Sequence, residues 1–327
     1  MKPGIEQLRK YQNKLNLVRQ EVAKVVVGQQ EIVTGLIRAI LGNGHVLVEG
    51  IPGIAKTLIV KALAKVTGCQ FSRIQFTADL LPSDILGLTT YIKETSKFSV
   101  VKGPIFANYI IADEINRSPA KTQSALLEAM QEKQVTIGND TFKLPEPFFV
   151  MATQNPIESS GVYQLPEAQI DRFLFKLKIT YPKMEEEGEI LNTNITLRKF
   201  EEFKLDKIIS PLEIVKMQDF IKKIFISKEI EHYIVRLIDA TRNPDKYKIK
   251  LGQYISWGCS PRASIGLFIA SKAEALLQES NYVLPTYVKK VAHDVMRHRI
   301  LLNYEGQAEN INTDNIVNEI LEKVPAP

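Results

Sequence analysis

The chain has 327 residues, 45% hydrophobic and 24% charged, and its 42 Lys and Arg against 37 Asp and Glu leave a formal net charge of +5. That balance excludes collagen-like and disordered chains, and two isolated cysteines, Cys69 and Cys259, exclude a disulfide scaffold or a cysteine-rich metal centre. No apolar stretch reaches the ~18 residues of a membrane helix, the N-terminal segment lacks the apolar run of a secretion signal, and the basic residues are spread along the whole length; a soluble cytoplasmic protein of about two domains is expected, without the footprint of a nucleic-acid binder.

Ile5, Leu8, Leu15, Val18 and Val22 fall on one helical stripe, interrupted at Gly28, and a second helical pattern covers about Glu31 to Leu41. His45-Val46-Leu47-Val48-Glu49 reads as a short buried strand bounded by glycines. Gly50-Ile51-Pro52-Gly53-Ile54-Ala55-Lys56-Thr57 follows, then a helix to about Val66. Further strands are predicted at Phe71–Phe76, Tyr109–Ala112 and Phe148–Thr153, with a helix over Pro119–Glu132. Phe173–Ile179 alternates apolar residues with Lys, the pattern of an edge strand. Strands alternating with helices predict an α/β fold, a mainly parallel sheet with helices on both faces. Two hairpins interrupt it, at about residues 88–102 and 134–144, the second turning at Gly138-Asn139-Asp140. After residue 182 the pattern is helical, over Met184–Lys199, Pro211–Phe225, Lys228–Arg242, Pro261–Leu277 and Pro285–Ile300. The predicted division is therefore an α/β domain at 1–182 and a smaller all-α domain at 183–327.

Strand, glycine-bearing loop and helix in that order form a phosphate cradle: backbone N–H groups converge on the helix N-terminus, where the dipole favours an anion. Gly50, Lys56 and Thr57 hold their places in the phosphate-loop pattern, while Ala55 stands where a second glycine is usual and Gly53 supplies the freedom. Lys56 would reach the β- and γ-phosphates of ATP and the Thr57 hydroxyl would hold Mg²⁺. Pro52, Ile54 and Leu58 complete the nucleotide-contacting stretch. The strand Tyr109-Ile110-Ile111-Ala112 ends in Asp113-Glu114. At the C-terminal end of a parallel strand beside the phosphate loop, Asp113 suits the Mg²⁺ shell and Glu114 can polarise an attacking water. Asn155, at the end of another apolar strand, could orient that water or simply cap the turn before Pro156.

With Ala112-Asp113-Glu114-Ile115-Asn116-Arg117, Ala129-Met130-Gln131-Glu132, Leu165-Pro166-Glu167-Ala168-Gln169-Ile170-Asp171-Arg172-Phe173 and Ser260-Pro261-Arg262-Ala263, the chain resembles the MoxR family of AAA+ ATPases over nearly its full length. The resemblance implies that Asn155 stands at the sensor-1 position, Arg172 is an arginine finger that completes a neighbouring subunit's site, and Arg262 is the sensor-2 arginine of the lid. It also implies that Val27-Gly28-Gln29 borders the adenine. Without it, Arg172 reads as a surface arginine beside Asp171 and Arg262 as a cap of its own helix. A finger supplied by a neighbour requires a homo-oligomer, for which the resemblance implies a ring of six. The implied activity is ATP hydrolysis with Mg²⁺, used to remodel or mature a client protein, with a von Willebrand factor A domain on a separate chain as a possible partner. Two other functions fit the residues less well: a nucleotide-gated switch with little turnover, against which Glu114 and Arg172 argue, and a DNA motor using Lys93, Lys97, Lys102, Lys133 and Lys143 around the hairpins.

Overall fold

The computed structural model describes residues 4–50, 56–93, 96–155, 163–193 and 199–327. Helices α1 (Ile5–Ala23) and α2 (Gln30–Leu41) come first. The stripe Leu8, Leu15, Val18 and Val22 is buried, and Gly28 turns the chain between the helices at φ +72°, a left-handed value that favours glycine. Then follow β1 (Val46–Glu49), α3 (Lys56–Thr67), β2 (Phe71–Gln75) and α4 (Pro82–Leu86). The first hairpin is β3 (Gly87–Ile92) with β4 (Lys97–Lys102); β5 (Tyr109–Asp113) and α5 (Ala120–Glu132) come next. The second hairpin is β6 (Gln134–Ile137) with β7 (Asp140–Lys143), before β8 (Phe149–Gln154), α6 (Glu167–Ile170) and β9 (Phe175–Lys178).

Five strands form one parallel sheet in the order β2-β5-β8-β1-β9. Side chains alternate between its faces as the pleat requires. Val46, Val48, Tyr109, Ile111, Phe149 and Met151 join one apolar cluster with α1, α2 and α3. Leu47, Ile110, Ala112, Val150 and Ala152 join another with Leu126, Leu127 and Met130 of α5. Helices therefore cover both faces. β1 lies inside the sheet, which is why its apolar run is continuous, and β9 takes the edge. The edge lysines are tethered: Lys176 Nζ lies 3.1 Å from Glu49 Oε2, and Lys178 Nζ lies 2.7 Å from Asp314 Oδ2.

The remaining chain carries α7 (Met184–Thr193), α8 (Pro211–Lys222), α9 (Lys228–Arg242) and α10 (Pro261–Leu277). It ends with α11 (Pro285–Met296), α12 (Tyr304–Ala308) and α13 (Thr313–Lys323). Side-chain caps start several of these helices. Ser210 and Glu213 satisfy each other's backbone N–H before α8, Ser227 caps α9, Ser260 caps α10 and Asn312 caps α13. The helix predicted to reach Lys199 ends at Thr193, with 194–198 outside the described residues. The one predicted to reach Ile300 stops at Met296, and Leu301–Leu302 instead pair with Ile255–Trp257 in a small antiparallel ribbon. The first apolar cluster crosses residue 182 without a break, joining Leu36 and Leu41 to Met217, Ile234 and Leu267. Arg38 on α2 and Glu274 on α10 form a buried ion pair across the same junction. Among the described residues no helix is long and apolar enough to cross a membrane.

Candidate functional site

In a parallel sheet all strands present their C-terminal ends to one edge, and that edge collects the predicted chemistry. Gly50 follows β1 and Lys56 opens α3. The Lys56 ammonium donates to the Gly50 carbonyl at 2.5 Å. Burial pulls the Lys56 pKa below its ordinary value, while the nearby negative charges of Asp113 and Glu114 oppose that pull. The parallel order β5-β8-β1 puts the lysine and both acids at the same end of the sheet. Thr57 and Leu58 follow on the same first turn, half-buried. Pro52, Gly53, Ile54 and Ala55 lie outside the described residues. Gly50 tolerates no side chain, since a Cβ there would come within 2.9 Å of the Ile179 carbonyl oxygen.

Asp113 and Glu114 are held differently. Asp113 Oδ1 accepts from the Thr153 hydroxyl at 2.7 Å, and Oδ2 accepts from Arg73 Nη2 at 2.7 Å. Glu114 leaves the strand in a left-handed conformation, φ 56° and ψ 49°, with its N–H donated to Thr153 Oγ1 at 2.9 Å. Its carboxylate accepts from Gln75 Nε2 at 2.9 Å and lies 3.2 Å from Arg117 Nε. One hydroxyl on β8 thus touches both acids, donating to the Asp113 carboxylate and accepting from the Glu114 N–H. Asn155, buried, directly follows the same strand β8. Thr57 and Asp113 offer a hydroxyl and a carboxylate, the hard oxygen donors that Mg²⁺ takes alongside phosphate oxygens and water, so the residues fit that ion.

Arg73, Gln75, Arg117 and Thr153 were not foreseen as site residues. Arg117 lies in one stretch that carries the family resemblance, and Arg73 and Gln75 lie in another, Arg73-Ile74-Gln75-Phe76-Thr77, but neither stretch by itself gives them a role. Arg73 and Gln75 sit two apart on β2, and the register Gln75 opposite Asp113 shows why both face the acids.

The segment Val27-Gly28-Gln29 is packed against residues 180–186. The Gln29 side-chain amide donates to the Thr180 carbonyl at 3.2 Å, and a Cβ at Gly28 would meet Glu186.

Arg172 and Arg262 are not brought to Lys56. Arg172 precedes β9, at the edge where the strands begin, and shares a shallow cleft with His45, Leu127, Met130, Gln131 and Arg262. At about 3.3 Å per residue the strands hold this edge roughly 13–20 Å from the phosphate loop. Arg172 is exposed, with Nη1 3.5 Å from the Leu127 carbonyl oxygen. Arg262, in the first turn of α10, has Nη1 3.4 Å from Asp171 Oδ2. Beneath them His45 is buried, with Nδ1 accepting from the Val150 N–H and Nε2 facing the Met130 carbonyl. Burial lowers its pKa to about 4.

Residues 45–175 match the model of the ATPase family associated with various cellular activities (AAA), and residues 251–320 match an AAA lid domain. The chain is 45% identical over 309 residues to Chaperone MoxR1 of Mycobacterium tuberculosis, covering 94% of this chain and 81% of that protein. It is 28% identical over 343 residues to Protein MoxR of Methylorubrum extorquens, covering 100% and 99%. A crystal structure from Cytophaga hutchinsonii, of a protein named as a candidate ATPase, superposes with a TM-score of 0.93 at 48% identity over 98% of this chain and 97% of that one.

Proposed function

The chain belongs to the MoxR family of AAA+ ATPases, and we propose that it hydrolyses ATP at sites shared between neighbouring subunits of a ring to remodel client proteins. The observation that carries this reading is the separation of the two charged groups. Lys56, Asp113 and Glu114 lie where the strands end, while Arg172 and Arg262 lie where they begin. Neither Arg172 nor Arg262 reaches the first edge within one chain. A head-to-tail neighbour would bring the two edges together, and such a contact closes into a ring when its rotation allows.

In that site Lys56 binds the β- and γ-phosphates, with the helix N-terminus supplying further N–H donors. Thr57 and Asp113 would hold Mg²⁺, which neutralises charge on the phosphate oxygens when bound with ATP. Glu114 polarises the attacking water and Asn155 orients it. Arg73 pairs with Asp113 and Gln75 with Glu114, contacts that hold both acids in place. The neighbour's Arg172 stabilises the charge that develops on the γ-phosphate, an effect of about 10³–10⁵ in rate for arginine fingers. Arg262 enters from the same neighbour, a role in trans that its place beside Arg172 supports.

A protein client, rather than DNA, suits the first hairpin. Leu88, Tyr91, Phe98 and Val101 are 46–75% exposed, and Tyr91 and Phe98 form an edge-to-face pair at 5.3 Å. Lys102 is turned over the rings of Phe106 and Phe142. A cytoplasmic ring working with a separate von Willebrand factor A domain chain is part of the same proposal.

The test is steady-state ATP hydrolysis against protein concentration, for wild type and Glu114→Gln. Specific activity that rises with concentration and vanishes in Glu114→Gln, which still binds ATP, supports shared sites. A wild type no faster than Glu114→Gln at every concentration makes the protein a nucleotide-gated switch.

A further inference from the structure

Arg299 is buried, its side chain 3% exposed, and all five of its N–H donors are engaged, four of them on one short segment. Nε donates to Asp171 Oδ1 at 2.8 Å. Nη2 donates to the Asp171 carbonyl at 3.1 Å and the Phe173 carbonyl at 2.6 Å. Nη1 donates to the Leu174 carbonyl at 3.2 Å and the Val295 carbonyl at 2.5 Å. The buried imidazole of His298 adds a contact from Nε2 to the Phe173 oxygen at 3.1 Å. A single guanidinium therefore grips residues 171, 173 and 174 and leaves the side chain of Arg172 exposed between them.

The Asp171 carboxylate completes the clamp from the other lid helix. The Ser260 hydroxyl lies 2.9 Å from both of its oxygens, and Arg262 Nη1 reaches Oδ2. Ser260 Oγ in turn accepts from the Arg262 N–H as the cap of α10. The segment carrying Arg172 is thus fastened to the start of α10 and to the turn after α11 at once, through groups that are buried or half-buried.

We propose that Asp171 and Arg299 are positioning residues that fasten Arg172 to the lid, so that Arg172 and Arg262 are delivered to the neighbouring subunit as one rigid unit. The proposal rests on the shared-site reading above. It assigns a function to two residues that touch neither nucleotide nor reacting atoms. It also makes the lid's orientation a determinant of hydrolysis in the adjacent subunit rather than in its own.

The test separates delivery of the arginine from everything else a subunit does. Arg172→Ala subunits have an intact Lys56 and Glu114 but deliver no finger, whereas Glu114→Gln subunits deliver one but cannot turn over. Mixed one to one, they should regain activity. The donor is then exchanged for Glu114→Gln/Asp171→Asn or Glu114→Gln/Arg299→Lys, the second keeping the charge but losing the planar fork. Rescued activity should fall at least tenfold with either. The donor's own affinity for a fluorescent ATP analogue should stay within twofold, and the mixed assembly should keep its size in light scattering. Circular dichroism identifies a donor that fails to fold. In that event Glu114→Gln/Ser260→Ala, which removes one bond to Asp171, should lower the rescue about threefold. Rescue within twofold of that given by Glu114→Gln alone, from folded donors, overturns the positioning role. No rescue by Glu114→Gln itself overturns the shared site, and the proposal with it, by a separate route.

Discussion

Replacing Arg38 by Met leaves a carboxylate stranded in the junction between α2 and α10. Arg38 Nε lies 2.6 Å from Glu274 Oε2, and the two side chains are 3% and 0% exposed. Met fills much of the arginine's volume, so the packing loss is small and the charge decides the outcome. Breaking a buried pair from one side costs about 3–5 kcal/mol, because the remaining ion stays out of water without its partner. Lys290 Nζ remains 2.8 Å from the other carboxylate oxygen, but it is half-exposed and such a contact contributes about 0–1 kcal/mol. The net expectation is a loss of about 3–4 kcal/mol. Arg38→Met/Glu274→Leu should recover to within about 1 kcal/mol of wild type, since an apolar pair often replaces a buried ion pair without loss. Urea unfolding followed by circular dichroism, compared at a common slope, gives all three values.

The pH dependence supplies a second check on the same pair. In the wild type, burial pushes Glu274 up, but Arg38 and Lys290 more than offset this and hold it below its ordinary value. A depressed carboxylate stabilises the fold above the unfolded pKa, and that contribution fades as pH falls through the folded one. With Arg38 gone, burial prevails and the carboxyl takes up a proton more readily. The deficit of Arg38→Met against wild type should therefore narrow from pH 7 to pH 5. A single variant as stable as the double, or a deficit that ignores pH, refutes the reasoning.

Lys56→Ala should weaken binding of a fluorescent ATP analogue at least tenfold, and unchanged affinity would remove Lys56 from the phosphate site. For His45, the unfolded chain binds its proton near pH 6.5 and the native one near pH 4, so protonation favours unfolding within that window. Its contribution should fall by about 1.4 kcal/mol per unit as pH drops from 6.5, reaching about 3 kcal/mol. An NMR titration should show its imidazole neutral at pH 5.5 in the native state, and a midpoint at pH 6 or above refutes the buried, neutral assignment.

The half of the site that is local in sequence was legible there. The strand, loop and helix from His45 to Val66 is a continuous stretch, and Asp113-Glu114 follow directly from the apolar run that becomes β5. The lysines alternating along Phe173–Ile179 marked the edge strand β9, because an edge leaves one side free for charge. What depends on strand order was hidden. Arg73 and Gln75 reach the acids only because β2 pairs with β5, and no spacing in the chain announces that neighbour. The same holds for Arg172 and Arg262, about 90 residues apart and recognisable only by resemblance. That Arg172 lies at the edge opposite Lys56 follows from the parallel topology, and Arg262 is brought beside it only by the contact of α10 with Asp171. Arg299 belonged to no motif at all. It stands in a stretch predicted to be helical to Ile300, whereas α11 ends at Met296 and the arginine turns back onto residues 171–174.

The left-handed backbone at Glu114 has an effect on how this protein responds to selection. A residue with a Cβ held at φ 56° gives up about 1 kcal/mol or more relative to an extended one, and asparagine or glycine there gives up less. Replacing Glu114 by Asn should relax the turn while discarding the carboxylate that Gln75 and Arg117 hold in place. A library varied at this position and screened for heat resistance alone would be drawn toward a substitution that removes the carboxylate proposed to polarise water.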